Sequence, residues 1–266
     1  MDFGLRDRVC VVTGASRGIG EATAVALARE RARLLLIGRR ADALERVAEA
    51  VRAAGAPAGE TLALDVTEPD AAERVVAAAE DRLGGLDVLV NNAGTSAVRS
   101  LDQLTDADWQ VQWELHVMAP MRLMRAAAPA MAQAGWGRIV NVSSSSGKRP
   151  SQTNMAYSVT KAAELSLSRH FADLYAAEGV LVNAVAPGPV ASELWTGRGG
   201  LADQQAEAKG ITREEALEAA GSKVPLGRFG REEEIAAVIV FLCSEAASNV
   251  AGAAWSVDGG AVPSII

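Results

Sequence analysis

The stretch "RVCVVTGASRGIG", residues 8–20, decides the fold. Residues 8–13 are a short run of β-branched and small apolar side chains, as expected of a strand buried on both faces. Gly14, Gly18 and Gly20 then follow at G-x-x-x-G-x-G spacing and lead into an alanine-rich helical pattern. Glycine permits a tight turn and lets a phosphate approach the backbone closely. The helix behind it offers N–H groups without intrahelical partners at the positive end of its dipole. Strand, glycine turn and helix start in this order read as a pyrophosphate cradle at Gly14, Ser16, Arg17, Gly18, Ile19 and Gly20; an ordinary glycine turn is the plainer alternative.

Working outward, the same alternation repeats. Further strand candidates lie at 33–38, 61–65, 86–91, 137–142, 180–185 and 253–258. Amphipathic helical segments fall at about 18–30, 40–54, 69–83, 104–133, 153–178 and 231–244. The alternation predicts an α/β fold: a Rossmann-type, doubly wound parallel sheet of about seven strands with helices on both faces. No repeat or linker divides the chain, so residues 1–266 read as one dinucleotide-binding and catalytic domain. Residues 191–230 break the rhythm. Thr212 and Glu215 suit a capping box there, and Gly221 suits a helix end. Ligands bind beyond the carboxyl ends of strands in such sheets, so this insertion reads as a substrate lid.

Composition supports the same class. Apolar residues make up 49% and aromatics only 4%, which favours close packing of small aliphatic side chains. A net charge of −7 argues against nucleic acid or an anionic membrane as partner. Cys10 and Cys243 lie in apolar runs and read as buried small hydrophobes, with no metal site. The start "MDFGLRDR" has no apolar signal segment, and the longest strongly apolar run, "IAAVIVFLC", is too short for a bilayer. A cytoplasmic location is the expectation.

The second strand ends "LIGRRAD". A site selective for NAD usually has an acid there for the ribose 2′-hydroxyl. This chain has Gly38 followed by Arg39 and Arg40, with Arg17 in the glycine turn. Arginine holds a 2′-phosphate bidentately, so NADP(H) is favoured and NAD(H) remains possible. Solvated arginines at a helix start are the alternative.

With "TGASRGIG" at 13–20, "NNAG" at 91–94, "YSVTK" at 157–161 and "PG" at 187–188 in order, the chain resembles the short-chain dehydrogenase/reductase family. Within it, the chain is similar to the 3-oxoacyl-carrier-protein reductase-like group. The resemblance covers essentially the whole chain; each motif is weak alone, and their order is specific. It implies that Asp65 and Val66 meet the adenine and that Asn91, Ala93 and Gly94 line the cofactor cleft. It also implies that Pro187 and Gly188 pass the nicotinamide and that Val190 and Ser192 reach its carboxamide. The family often has threonine where Ser192 stands.

"YSVTK" then has a mechanism. Residues four apart share a helix face, so Lys161 lies one turn beyond Tyr157. A free phenol titrates near 10, too high for proton exchange at neutral pH, and a nearby ammonium favours the phenolate. Tyr157 would protonate a carbonyl oxygen in reduction and take the proton back in oxidation. By the resemblance, Lys161 also holds the cofactor ribose, and the catalytic serine thirteen before the tyrosine is Ser144. A serine hydroxyl there can hydrogen-bond the substrate oxygen as charge grows on it.

One position departs from the pattern. The family's fourth catalytic residue is an asparagine about seven after the position of Trp109, and here that place holds His116. The asparagine is thought to hold a water that relays protons to the lysine. Histidine can donate and accept through its two nitrogens, so His116 either keeps the relay or is a packed helical residue.

The reading is an NADP(H)-dependent oxidoreductase that interconverts a carbonyl and a secondary alcohol. The alternatives are a non-catalytic dinucleotide sensor and an imine reductase on the same scaffold. Leu194, Trp195, Leu201 and Ile211 in the lid suit an apolar substrate. The resemblance implies a homotetramer with the helices at 104–133 and 153–178 between subunits, and the apolar tail "AVPSII" could pack on a neighbour.

Overall fold

The computed structural model describes residues 3–263. Seven strands form one parallel sheet: β1 (Val9–Thr13), β2 (Arg33–Gly38), β3 (Gly59–Ala63), β4 (Val88–Asn91), β5 (Gly137–Val142), β6 (Val180–Pro187) and β7 (Ala254–Val257). Their order is β3-β2-β1-β4-β5-β6-β7. Each strand predicted from sequence is present, with ends shifted by a few residues.

Alternation along the strands divides the core into two layers. Cys10, Val12, Leu34, Leu36, Val88, Val90 and Val140 face one side. There they meet α1 (Gly18–Arg29), α2 (Ala41–Ala54) and, from the far end of the chain, Ile235 and Ile239. Val9, Val11, Leu35, Ile37, Leu89 and Ile139 face the other side, against α3 (Ala71–Leu83) and against Leu123, Met124 and Phe171. Strands buried on both faces need continuous apolar runs, which is how "VCVVT" and "LLLI" read.

The long helix expected at 104–133 is interrupted. Thr105 caps α4 (Asp106–Trp113), Glu114–Met118 form a π-helical turn, and α5 covers Ala119–Gln133. Pro120 explains the break. It has no N–H to donate to His116 O four residues back, and its ring crowds that carbonyl. Ala119 N–H bonds Glu114 O instead, five residues back.

Ser145–Lys148 form the one-turn α6, and Met155–Tyr175 form α7. The lid region holds three helices where a single short one was expected: α8 (Glu193–Thr196), α9 (Leu201–Lys209) and α10 (Arg213–Gly221). The Thr212–Glu215 capping box is formed, with Thr212 N–H on Glu215 Oε2 at 2.8 Å. Gly221 is the last helical residue and packs near Phe229. Helix α11 (Glu232–Leu242) returns to the sheet. No helix among the described residues is long and apolar enough to cross a membrane. The last three residues of the apolar tail lie outside the described residues.

Strands β2 and β3 lie to one side of β1, and β4 to β7 to the other. The winding of successive strands across the sheet therefore reverses between β1 and β4, which opens a crevice at their carboxyl ends.

Candidate active site

Thr13 ends β1 and ties that crevice together. Its Oγ1 donates to Val90 O and accepts from Asn92 N–H at 2.9 Å and Ala93 N–H at 3.0 Å. Asn92 Nδ2 donates to Thr13 O at 2.9 Å and Gly14 O at 3.2 Å. Gly14 has φ +63°, and a Cβ on Gly20 would stand 2.3 Å from Gly14 O. The turn is thus wound so tightly on the start of α1 that only glycine fits at both places.

Around this turn lies a cleft of about 810 Å³. Ser16, Arg17, Gly18 and Ile19 form one end, with Arg39, Arg40, Asp65 and Val66 beside them. Ala93, Gly94, Pro187, Gly188, Val190 and Ser192 form the middle wall. Ser144, Tyr157 and Lys161 lie at the other end. Glycine cradle, orphan helix N–H groups and a long cleft with arginines at one end suit a dinucleotide.

The structure corrects two residues: Gly20 is buried behind Gly14 and does not line the cleft, and Asn91 is the second. Asn91 does not reach this cleft: it is buried in β4 and its Nδ2 donates to Asn141 Oδ1 at 2.8 Å. Asn92, the next residue, lines the wall instead. Strand alternation is the reason, since neighbouring side chains point to opposite faces.

Two of the arginines are paired with acids. Arg17 meets Glu193 Oε2 at 2.6 Å, and Arg39 lies 3.9 Å from Asp65 Oδ2. The Arg17 guanidinium holds the Glu193 carboxyl below the usual range. Asp65 Oδ1 accepts from Thr67 N–H and Oγ1, which orients the carboxyl at the strand end.

At the opposite end, α7 carries Tyr157 and Lys161 on one face, with Lys161 Nζ 5.9 Å from the centre of the Tyr157 ring. Ser143 Oγ donates to Lys161 O at 2.9 Å, so its hydroxyl is used to hold α7. Ser144 Oγ accepts from Ser146 N–H at 3.1 Å, capping the turn of α6 at the cleft wall.

His116 is fully buried in the π-helical turn. Nε2 accepts from Thr95 N–H at 3.3 Å, and Nδ1 lies 3.1 Å from Thr160 Oγ1, which itself donates to Tyr157 O. The ring is therefore the neutral Nδ1–H tautomer. Burial, and then the Lys161 charge, hold its pKa well below the ordinary value. Its edge meets the Tyr157 ring at 5.3 Å between centres. His170, the other histidine, is exposed on α7.

Leu194, Trp195 and Leu201 of the lid line the cleft; Ile211 does not. Trp195 stacks edge-on against Phe229 at 5.1 Å. Sequence reasoning missed Ser96, Thr153, Asn154 and Gln205 in the wall, because no local pattern marks them. It also missed Glu164, whose Oε2 accepts from Lys161 Nζ at 2.8 Å. The i, i+3 spacing of these two residues was the available signal. No cluster of residues that could hold a metal ion occurs among the described residues.

Comparisons with known proteins agree with this architecture. A family described as enoyl-(acyl carrier protein) reductase matches residues 14–262. A cis-4-hydroxycyclohexanecarboxylate dehydrogenase of Sinomonas cyclohexanicum is 40% identical, covering 96% of each chain. A 3-oxoacyl-[acyl-carrier-protein] reductase of Thermotoga maritima is 34% identical, covering 97% of this chain and 99% of its own. Among solved structures, L-sorbose reductase from Gluconobacter frateurii, complexed with NADPH and L-sorbose, superposes with a TM-score of 0.92. It is 34% identical, and the match covers both chains completely.

Proposed function

The chain belongs to the short-chain dehydrogenase/reductase family, in its 3-oxoacyl-carrier-protein reductase-like group, and on that premise we propose that it interconverts a carbonyl and a secondary alcohol with NADP(H). The observation that carries the reading is the placement of Tyr157 and Lys161 on one face of α7, in the same cleft as Ser144 and the glycine cradle.

A nicotinamide held in this cleft would supply or accept the hydride. The protein manages the proton. In reduction, Ser144 Oγ hydrogen-bonds the carbonyl oxygen, and the Tyr157 hydroxyl gives its proton to that oxygen as negative charge develops. The Lys161 ammonium stabilises the phenolate left behind. In oxidation the phenolate takes the alcohol proton. Gly14, Ser16, Gly18 and Ile19 would hold the pyrophosphate, and Lys161 the ribose. Asp65 and Val66 meet the adenine. Ala93, Gly94, Pro187, Gly188, Val190 and Ser192 hold the nicotinamide half.

Arg17, Arg39 and Arg40 border the cleft where a 2′-phosphate would lie, which supports NADP(H) over NAD(H). The relative solved with NADPH supports the same preference. His116 is better read as a residue that orients Tyr157 and Thr160 than as a relay, because both ring nitrogens are already engaged.

The substrate wall mixes Val98, Leu194 and Trp195 with Ser96, Thr153 and Gln205. It suits an alicyclic or hydroxylated ketone better than a wholly apolar one, and the relatives that act on a hydroxycyclohexane acid and on L-sorbose point the same way. Helices α8 and α9 border this end through Leu194, Trp195, Leu201 and Gln205.

Val111, Trp113, Met155, Val159 and Leu174 are exposed apolar side chains on α4 and α7, which supports a homotetramer built through those helices. Sedimentation as a stable monomer would refute that assembly. The buried free thiols Cys10 and Cys243 suit a reducing cytoplasm.

The deciding experiment is a cofactor-depletion screen of cyclic ketones, ketoses and their alcohols with both nicotinamides. Turnover of at least one ketone, faster with NADPH, is expected. Tight cofactor binding with no turnover of any compound would favour the dinucleotide sensor, the second reading, which the replacement of asparagine by His116 favours.

A further inference from the structure

Lys161 does not meet the cleft as a lone cation. Its Nζ donates to Val142 O at 2.8 Å and to Glu164 Oε2 at 2.8 Å. An ammonium has three N–H bonds, so two are directed to the inner wall and one is left for the cleft. The two charged side chains are both only 3% exposed.

Glu164 is isolated from other charge. A small void borders it, lined by Thr13 of β1, Asn91 of β4, Leu115 of the π-helical turn, and Ala119, Pro120 and Leu123 of α5. None of these carries a charge. Asn91 Oδ1 has no hydrogen-bond partner, so this polar recess is built with an acceptor to spare. Burial raises the Glu164 carboxyl, while the charge and hydrogen bond of Lys161 act against that. His116, on the other side of Tyr157, is held neutral. Glu114, which lines the cleft nearby, is neutralised by an ion pair with Arg122.

A buried ion pair is a poor device for stability, since an apolar pair of the same volume commonly does as well. This pair sits directly behind the group that exchanges the proton. We propose that Glu164 is a positioning residue of the proton-transfer step: it draws the Lys161 ammonium to the inner wall and partly cancels its charge at the Tyr157 phenol. The field of a close opposite pair falls off faster than that of a single charge. Tyr157 then keeps its proton to higher pH than beside an unpaired lysine. The protonated phenol is the form that carbonyl reduction consumes: its O–H bond breaks, the proton goes to the substrate oxygen, and solvent restores it. The pair therefore favours the reductive direction at neutral pH.

The inference rests on Tyr157 being the proton-exchanging group, and its test needs no substrate. The protein has two tyrosines, Tyr157 and Tyr175, so the ultraviolet signal of phenolate formation at Tyr157 is the difference between a protein and its Tyr157→Phe counterpart. In Glu164→Gln, which keeps an acceptor and removes the charge, that signal should move to lower pH by about 0.5–1 unit. Glu164→Leu, which removes the carboxyl and its hydrogen bond to Lys161 altogether, should move it in the same direction and serves if the glutamine variant folds poorly. An unchanged midpoint, or one at higher pH, in the folded variants overturns the proposal. Absence of turnover with every ketone would overturn the proposed function while leaving this titration readable. Where turnover is found, the alkaline limb of reduction should shift down with the phenolate signal.

Discussion

His116 Nδ1 lies 3.1 Å from Thr160 Oγ1, and the same threonine hydroxyl donates to the carbonyl of Tyr157. A buried neutral imidazole is thereby tied to the backbone of Tyr157, the residue proposed above to exchange the proton. His116 is a strut between the π-helical turn and α7.

That strut makes stability depend on acid. Unfolded, His116 takes up a proton near its ordinary value of 6.5; folded, burial and Lys161 hold it well below. The unfolded chain binds the extra proton, so stability falls as pH drops below about 6.5, by up to about 1.4 kcal/mol per unit until the folded value is reached. His116→Gln removes that term. The loss of urea midpoint between about pH 7.5 and 5.5 should be smaller in the variant than in the parent.

Tyr157→Phe should bind cofactor within a few-fold of the parent and lose about 10²–10⁴ in kcat. Parallel titration of cofactor fluorescence and single-turnover reduction would check it. A variant as fast as the parent would remove Tyr157 from the chemistry.

Arg39→Ala and Arg17→Ala should each lower kcat/KM with NADPH by about tenfold, equal to about 1.4 kcal/mol, and change the value with NADH much less. Glu193 competes for Arg17 across the cleft mouth. Glu193→Gln is therefore expected to lower KM for NADPH, most clearly at low salt. Equal effects on both cofactors would show that these arginines are not reading the 2′-phosphate.

Gly20→Ala puts a Cβ 2.3 Å from Gly14 O and 2.5 Å from Asn92 Nδ2. Neither neighbour can yield without opening the turn. Overpacking of this kind costs about 1–3 kcal/mol, and cofactor affinity should fall with it. Thermal unfolding with and without NADPH separates the two losses.

Burial pushes the Cys243 thiol up to about 12 and also raises Cys10 well above its ordinary value. Thiolate, the reactive form, is scarce at both. A disulfide-exchange reagent should leave the native protein unlabelled and titrate two thiols once it is unfolded in urea. Fast labelling of the native protein would mean that β1 and α11 open readily.

Much of the architecture was legible in the chain because it rests on local periodicity. Seven apolar runs and the helices between them read as strands and covers, and the order of "TGASRGIG" and "YSVTK" along the chain pointed to a glycine turn before a helix and to a shared helix face. The break at Glu114–Met118 was also present in the sequence as Pro120, whose missing N–H forces the π-helical turn. What needed the tertiary structure was everything set by burial and by which strand end meets which loop. Asn91 points into the sheet and Asn92 into the cleft. Arg17 meets an acid of the lid 176 residues away. Glu164 stands three residues from Lys161 in the chain, yet only the closing of α5 and β4 around it turns an ordinary helix-surface spacing into a charge pair removed from water. Spacing is carried by the chain itself, whereas dielectric environment exists only once distant segments have packed.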